Sequence, residues 1–70
     1  MPVVSVDMLS GRTPEVRAEL AEAITKAFVE IAKSNREQVT VIFNEVSPDY
    51  WVVGGETVTV RQAKHNKAAT

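Results

Sequence analysis

Thr13-Pro14-Glu15-Val16-Arg17-Ala18-Glu19-Leu20-Ala21-Glu22-Ala23-Ile24-Thr25-Lys26-Ala27-Phe28-Val29-Glu30-Ile31-Ala32-Lys33 reads as one long amphipathic helix, and the chain on either side takes its meaning from it. Thr13 carries the hydroxyl of an N-cap, Pro14 suits the first helical position, and Glu15 places an acid in the positively polarised first turn. The pattern predicts a helix over about 14–33. Val16, Leu20, Ile24, Phe28 and Ile31 recur at steps of four, four, four and three, which makes one apolar stripe widened by Ala23 and Ala27. Glu15, Glu19, Glu22, Lys26, Glu30 and Lys33 form the solvated face. Glu22 and Lys26 are ordered for an i,i+4 pair worth a few tenths of a kcal/mol. Ser34-Asn35 ends the helix.

Upstream of this helix, residues 3–9 alternate as a strand. Val4, Val6 and Met8 share one face; Val3, Ser5, Asp7 and Leu9 share the other. Downstream, residues 38–46 form a second strand, with Val39, Val41 and Phe43 on one face and Thr40, Ile42 and Asn44 on the other. Strand, long helix and strand make a βαβ unit, with parallel strands and a right-handed crossover. The helix covers one sheet face and leaves Val3, Leu9 and Ile42 without cover. A two-stranded sheet is not stable alone.

Ser47-Pro48-Asp49 is a turn, which leaves Tyr50 and Trp51 in a loop. Val52-Val53 leads into Gly54-Gly55, a tight turn or hairpin. Thr57-Val58-Thr59-Val60 alternates like a short strand, and residues 61–70 read as a polar, frayed tail of one small domain spanning 1–70.

The 70 residues hold no cysteine and one histidine, so a disulfide framework and a thiolate metal site are both out of reach. A net charge of −1 gives no electrostatic footprint for nucleic acid. No window approaches a membrane span, and no basic region precedes the apolar run at the start. The expected compartment is the cytoplasm. With 44% hydrophobic residues and so short a length, the chain is expected to complete its core against other copies.

Three side chains stand out as candidates for chemistry. Pro2 follows the initiator Met1. Were Met1 removed, its ring nitrogen would become a secondary amine, whereas an amide nitrogen has no useful basicity. A free α-amino group titrates at about 7.7–8.0, near the range where a general base works. Arg12 precedes the helix N-terminus, where a guanidinium and free N–H groups can hold a carboxylate or phosphate; the plain alternative is a solvated surface arginine. Trp51 is either an apolar wall for a substrate or an anchor at a subunit contact. Asp7, on the first strand, is a further candidate for orienting something near Pro2.

The pattern of Pro2, an alternating strand, Gly11-Arg12-Thr13, an amphipathic helix, Val41-Ile42-Phe43-Asn44-Glu45 and Gly54-Gly55-Glu56 resembles the tautomerase superfamily, the small 4-oxalocrotonate tautomerase type above all. Ser5, Asp7-Met8 and Gly11-Arg12-Thr13 also resemble one subunit type of trans-3-chloroacrylic acid dehalogenase. The resemblance implies an α/β fold in which βαβ protomers pair into four-stranded sheets and three such dimers form a hexamer. It implies a cofactor-independent keto–enol isomerase with Pro2 as general base, acting on a small unsaturated 2-hydroxy or keto acid. It further implies that Arg12 holds the substrate carboxylate and that Trp51 walls the pocket.

Two departures qualify the transfer. The tautomerase type has a second, carbonyl-polarising arginine where this chain has Thr40, whose hydroxyl donates a hydrogen bond without charge. The dehalogenases have an arginine and a water-activating glutamate where this chain has Leu9 and Val53, so hydrolytic dehalogenation is not expected. The alternatives to a tautomerase are a hydratase or decarboxylase relative, or a non-catalytic subunit of a mixed hexamer. A homo-hexamer and a hetero-hexamer with a related chain both satisfy the resemblance.

Overall fold

A computed structural model describes the backbone of residues 1–69 and the side chains of residues 1–65. Strand β1 (Val3–Leu9) leads through a short loop into helix α1 (Pro14–Ile31), and strand β2 (Thr40–Val46) returns beside β1. The two strands are parallel, in register from Val3 opposite Thr40 to Leu9 opposite Val46. A 3-10 turn at Arg36–Gln38 takes Gln38, the first residue of the expected second strand, and Val39 caps its end; the Asn35 side chain accepts from the Glu37 N–H at 3.0 Å and caps its start.

The start of α1 follows its sequence signals. Thr13 is extended and its hydroxyl accepts from the Val16 N–H at 3.2 Å, with Pro14 in the first turn. Replacing Thr13 by alanine orphans that donor and is expected to cost about 0.5–2 kcal/mol, read as a lower melting temperature at fixed protein concentration. The helix ends two residues before the expected Lys33. Ala32 still donates to the Phe28 carbonyl, but Lys33 turns to a φ of 58° and the Ser34 N–H comes back to the same carbonyl at 3.1 Å. The Glu22–Lys26 pair does not form. Glu22 instead binds Arg36, and Lys26 turns to Glu30 at 3.9 Å. Glu22 thereby ties the helix to the turn that feeds β2, and its hydrogen bond raises the Arg36 pKa further above its ordinary value.

The apolar stripe of α1 divides in two. Ala21, Ile24, Thr25, Phe28 and Val29 are half-buried, on the side of Val4, Val6, Val41 and Phe43. Val16, Leu20 and Ile31 are exposed, Ile31 at 81%. Shallow apolar grooves run along this outer stripe, one lined by Val16, Glu19, Leu20 and Ala23, another by Ala27, Phe28, Ile31 and Ala32. The sheet face expected to lack cover is exposed at Val3, 62%, and Ile42, 46%, whereas Leu9 is half-buried.

Beyond β2, a Ser47-capped 3-10 turn (Pro48–Tyr50) leads past Trp51 into the antiparallel hairpin of β3 (Val52–Val53) and β4 (Glu56–Thr57). Gly54 and Gly55 join them with φ of 60° and 80°, a two-residue turn that a Cβ would strain at both positions. The expected strand over 57–60 stops at Thr57. Helix α2 (Val58–Ala69) follows, so the stretch expected to be a frayed tail is helical through Ala69, and Thr70 lies outside the described residues. The cause is local. The Thr57 hydroxyl accepts from the Val60 N–H at 3.2 Å, an N-cap bond, and Arg61, Gln62, Ala63 and Lys64 are good helix formers. Glu56 pairs with both Arg61 and Lys64. No helix among the described residues is long and apolar enough to cross a membrane.

Among the described residues none is fully buried. The protomer exposes 5336 Å², against about 4,300 Å² for a folded monomer of its 7.7 kDa mass. Its radius of gyration is 16.2 Å, where about 11 Å suits a compact domain of this length. An isolated protomer therefore lacks the interior that would offset its chain entropy.

Candidate active site

Parallel strands have a common start and a common finish, and the candidate residues divide between them. Pro2 and Thr40 stand at the start. The Thr40 N–H donates to the Pro2 carbonyl at 3.0 Å, which adds one rung to the ladder before Val3. Pro2 is half-buried and Thr40 exposed, while Met1 projects away at 88% exposure.

Arg12 and Trp51 follow the finish. The Ser10 N–H donates to the Val46 carbonyl at 2.9 Å, Gly11 turns the chain at φ 120°, and Arg12 leads into the Thr13 cap. Trp51 follows the 3-10 turn after β2. It is half-buried, and its carbonyl accepts from the Val58 N–H at 2.8 Å, where α2 begins. Six strand steps of about 3.3 Å separate Val3 from Leu9, so Pro2 and Arg12 of one protomer lie on the order of 20 Å apart. No small molecule reaches both within one chain.

Within one chain Asp7 does not reach Pro2. It lies four steps beyond Val3, roughly 13 Å along the strand, opposite Asn44 on the free face. There the Asn44 amide donates to the Ser5 hydroxyl at 3.1 Å. Neither groove along α1 is lined by Pro2, Arg12, Thr40 or Trp51. Among the described residues no group of three or more His, Asp or Glu gathers as a metal site.

The arginines differ in how they are used. Arg17, Arg36 and Arg61 are paired with Glu45, Glu22 and Glu56. The Arg12 guanidinium is exposed and has no hydrogen-bond or ion-pair partner among the described residues. Arg17 is the residue that the sequence reading passed over. It falls on the inner side of α1, where an apolar side chain is the norm, and it bonds both Glu45 on β2 and the backbone of Arg12. A cation out of phase with the solvated face was the available signal.

Residues 2–61 match the family model described as Tautomerase enzyme. The chain belongs to the tautomerase family, to its 4-oxalocrotonate tautomerase type, and is an isomerase of that class. The 2-hydroxymuconate tautomerase of Bacillus subtilis (strain 168) is 36% identical over 59 residues, 84% of this chain and 95% of that one. The crystal structure of TomN, a 4-oxalocrotonate tautomerase homologue in the tomaymycin biosynthetic pathway, aligns with a TM-score of 0.86 at 42% identity, covering 89% of this chain and 95% of TomN. A heterohexamer 4-oxalocrotonate tautomerase from Chloroflexus aurantiacus J-10-fl aligns with a TM-score of 0.79 at 36% identity, over 84% of this chain and 95% of that one. The family match ends at Arg61, so most of α2 extends past it.

Proposed function

We propose that Pro2, freed by removal of Met1, is the general base of a cofactor-independent keto–enol tautomerase acting on a small unsaturated 2-hydroxy or keto acid. The observation that carries this reading is the seating of Pro2. Its carbonyl is locked into the β ladder by Thr40, while the side from which Met1 departs is open to solvent. A rigid ring is thus held at a defined point with only its nitrogen left to liberate. On a 2-hydroxy-dienoate the secondary amine takes the hydroxyl proton, the electron pair moves along the diene, and the pyrrolidinium returns the proton at the far carbon. Nothing is oxidised or reduced.

Arg12 is the carboxylate grip in this reading, which its unpaired guanidinium supports, and Trp51 is the apolar wall. Thr40 offers a neutral hydrogen bond where a second arginine would favour a dicarboxylate. Because Pro2 and Arg12 stand at opposite ends of one protomer, the working site joins the Pro2–Thr40 end of one copy to the Arg12–Trp51 end of another. We assign the assembly as a hexamer of sheet-paired dimers. The exposed outer stripe of α1 and the bare sheet face supply the apolar area it needs, and no folded monomer is expected at micromolar protein. Sedimentation that finds a stable folded monomer there refutes the assembly.

Thr40 favours one second reading. A related chain that carries the missing cation would complete a mixed hexamer, an arrangement that the Chloroflexus aurantiacus protein's description reports for that protein. Intact-mass analysis of the complex from its native source distinguishes one chain type from two. The function itself is tested by the rate of 2-hydroxymuconate ketonisation by protein whose mass shows Met1 removed; no turnover above the uncatalysed rate refutes it.

A further inference from the structure

We infer that Arg17 is a positioning residue for Arg12, acting as a clamp between the loop that carries Arg12 and strand β2. The inference rests on Arg12 being the carboxylate grip. One guanidinium nitrogen of Arg17 donates both to the Arg12 carbonyl, at 2.8 Å, and to the Glu45 carboxylate. The Arg17 and Glu45 side chains are 29% and 31% exposed, whereas the cations of the other ion pairs are 52% to 69% exposed. The Arg17–Glu45 bond is therefore the better shielded from water and salt.

The loop needs such a clamp. Gly11, at a φ of 120°, gives it a pivot that no side chain stiffens. Ser10 is held to Val46 on one side, and on the other the Thr13 carbonyl accepts from the Arg17 N–H at 3.1 Å. Between these anchors the Arg12 carbonyl is bonded by the Arg17 side chain. A carbonyl is coplanar with its own Cα, so fixing it fixes the peptide plane that follows Arg12 and leaves rotation about the Cα–C bond as the main freedom in how the side chain departs. Glu45 has two tasks: it anchors the clamp to β2, and it cancels the Arg17 charge. Among Arg12, Arg17 and Glu45 the one charge left unpaired is that of Arg12.

The test is kinetic, in the assembled protein, with 2-hydroxymuconate as the dicarboxylate probe and phenylenolpyruvate as the monocarboxylate one. Arg17→Met is expected to lower kcat/KM roughly tenfold or more for both, mainly through KM, because a misdirected grip weakens binding of substrate and transition state together. Arg17→Lys is expected to recover part of the loss, since its ammonium can donate to both acceptors but its stem is shorter. In an Arg12→Ala background Arg17→Met should change KM little, a non-additivity that a general packing role would not produce. Where Arg17→Met alone fails to assemble, the double variant Arg17→Met, Glu45→Met leaves no orphaned charge and takes its place. Should Arg12→Ala raise KM while Arg17→Met leaves it unchanged, or should the two effects simply multiply, the clamp is refuted and the Arg12 reading stands. Should Arg12→Ala itself leave KM unchanged, both fall.

Discussion

Protein that keeps Met1, or that carries any added amino-terminal segment, is expected to lose turnover of 2-hydroxymuconate while assembling as before. The loss follows from bonding alone. In the retained form the Pro2 nitrogen belongs to an amide, its lone pair is delocalised, and it cannot accept a proton near neutral pH. Assembly should be indifferent, because the ladder begins with the Pro2 carbonyl, which is the same in both forms. Pro2→Ala is the gentler test. It leaves a primary amine of similar basicity but removes the ring that holds the nitrogen, and is expected to lower kcat by at least about a hundredfold, within the usual span of one general base. Mass spectrometry and ketonisation kinetics on the same preparation decide the matter. Full activity in a verified tagged form refutes Pro2 as the base.

The second large effect belongs to Arg12. Arg12→Ala removes a charge-assisted hydrogen bond to the substrate carboxylate, worth about 1.5–3 kcal/mol, or roughly ten- to a hundred-fold in kcat/KM. KM should rise, and kcat should fall as well if the grip tightens while charge moves toward the carbonyl. Arg12→Lys should recover only part, because an ammonium cannot make the two-pronged contact. Thr40→Arg is the informative counterpart. It should improve 2-hydroxymuconate more than phenylenolpyruvate, since only the former has a second carboxylate for the new cation. A cation beside Pro2 also disfavours the protonated amine and lowers its pKa, so the acid-side limb of the pH–rate profile should move to lower pH. Steady-state kinetics on the two substrates measure both effects. An Arg12→Ala protein with unchanged constants would reduce Arg12 to a solvated surface residue.

Much of the protomer was legible because its local signals agree with its tertiary structure. Thr13-Pro14-Glu15 starts α1, the valine alternation forms β1 and β2, and the long helical connection suits the parallel pairing that the strands adopt. Two features were not legible, for different reasons. The outer stripe of Val16, Leu20 and Ile31 is as apolar as the inner one of Ile24 and Phe28, and periodicity cannot tell the face meeting its own sheet from one left bare. Thr57-Val58-Thr59-Val60 alternates like a strand, yet a hairpin with only Val52–Val53 on its other arm gives the later residues no partner. The Thr57 cap then favours a helix. At the candidate site, Pro2, Arg12 and Trp51 stand out as candidates by their chemistry, and Thr40 only through the family resemblance. For Arg17 the phase on the helix was visible but the partner was not, because Glu45 comes beside the first turns of α1 only through β2, a contact between distant segments.

The division of the sheet into two ends has a genetic consequence. In a homo-oligomer every chain must supply both a Pro2 end and an Arg12 end, so one substitution at either end is repeated at every site. After duplication of the gene that constraint loosens. One copy can let its Arg12 end drift while its Pro2 end still meets an intact partner, and the other copy can do the reverse. Neither then works alone, and the two become obligate companions. Thr40 stands at one of these ends, where in the proposed site a polarising cation would have to come from a neighbouring chain. A fold that shares its site between molecules in the way proposed is thereby predisposed to become two genes.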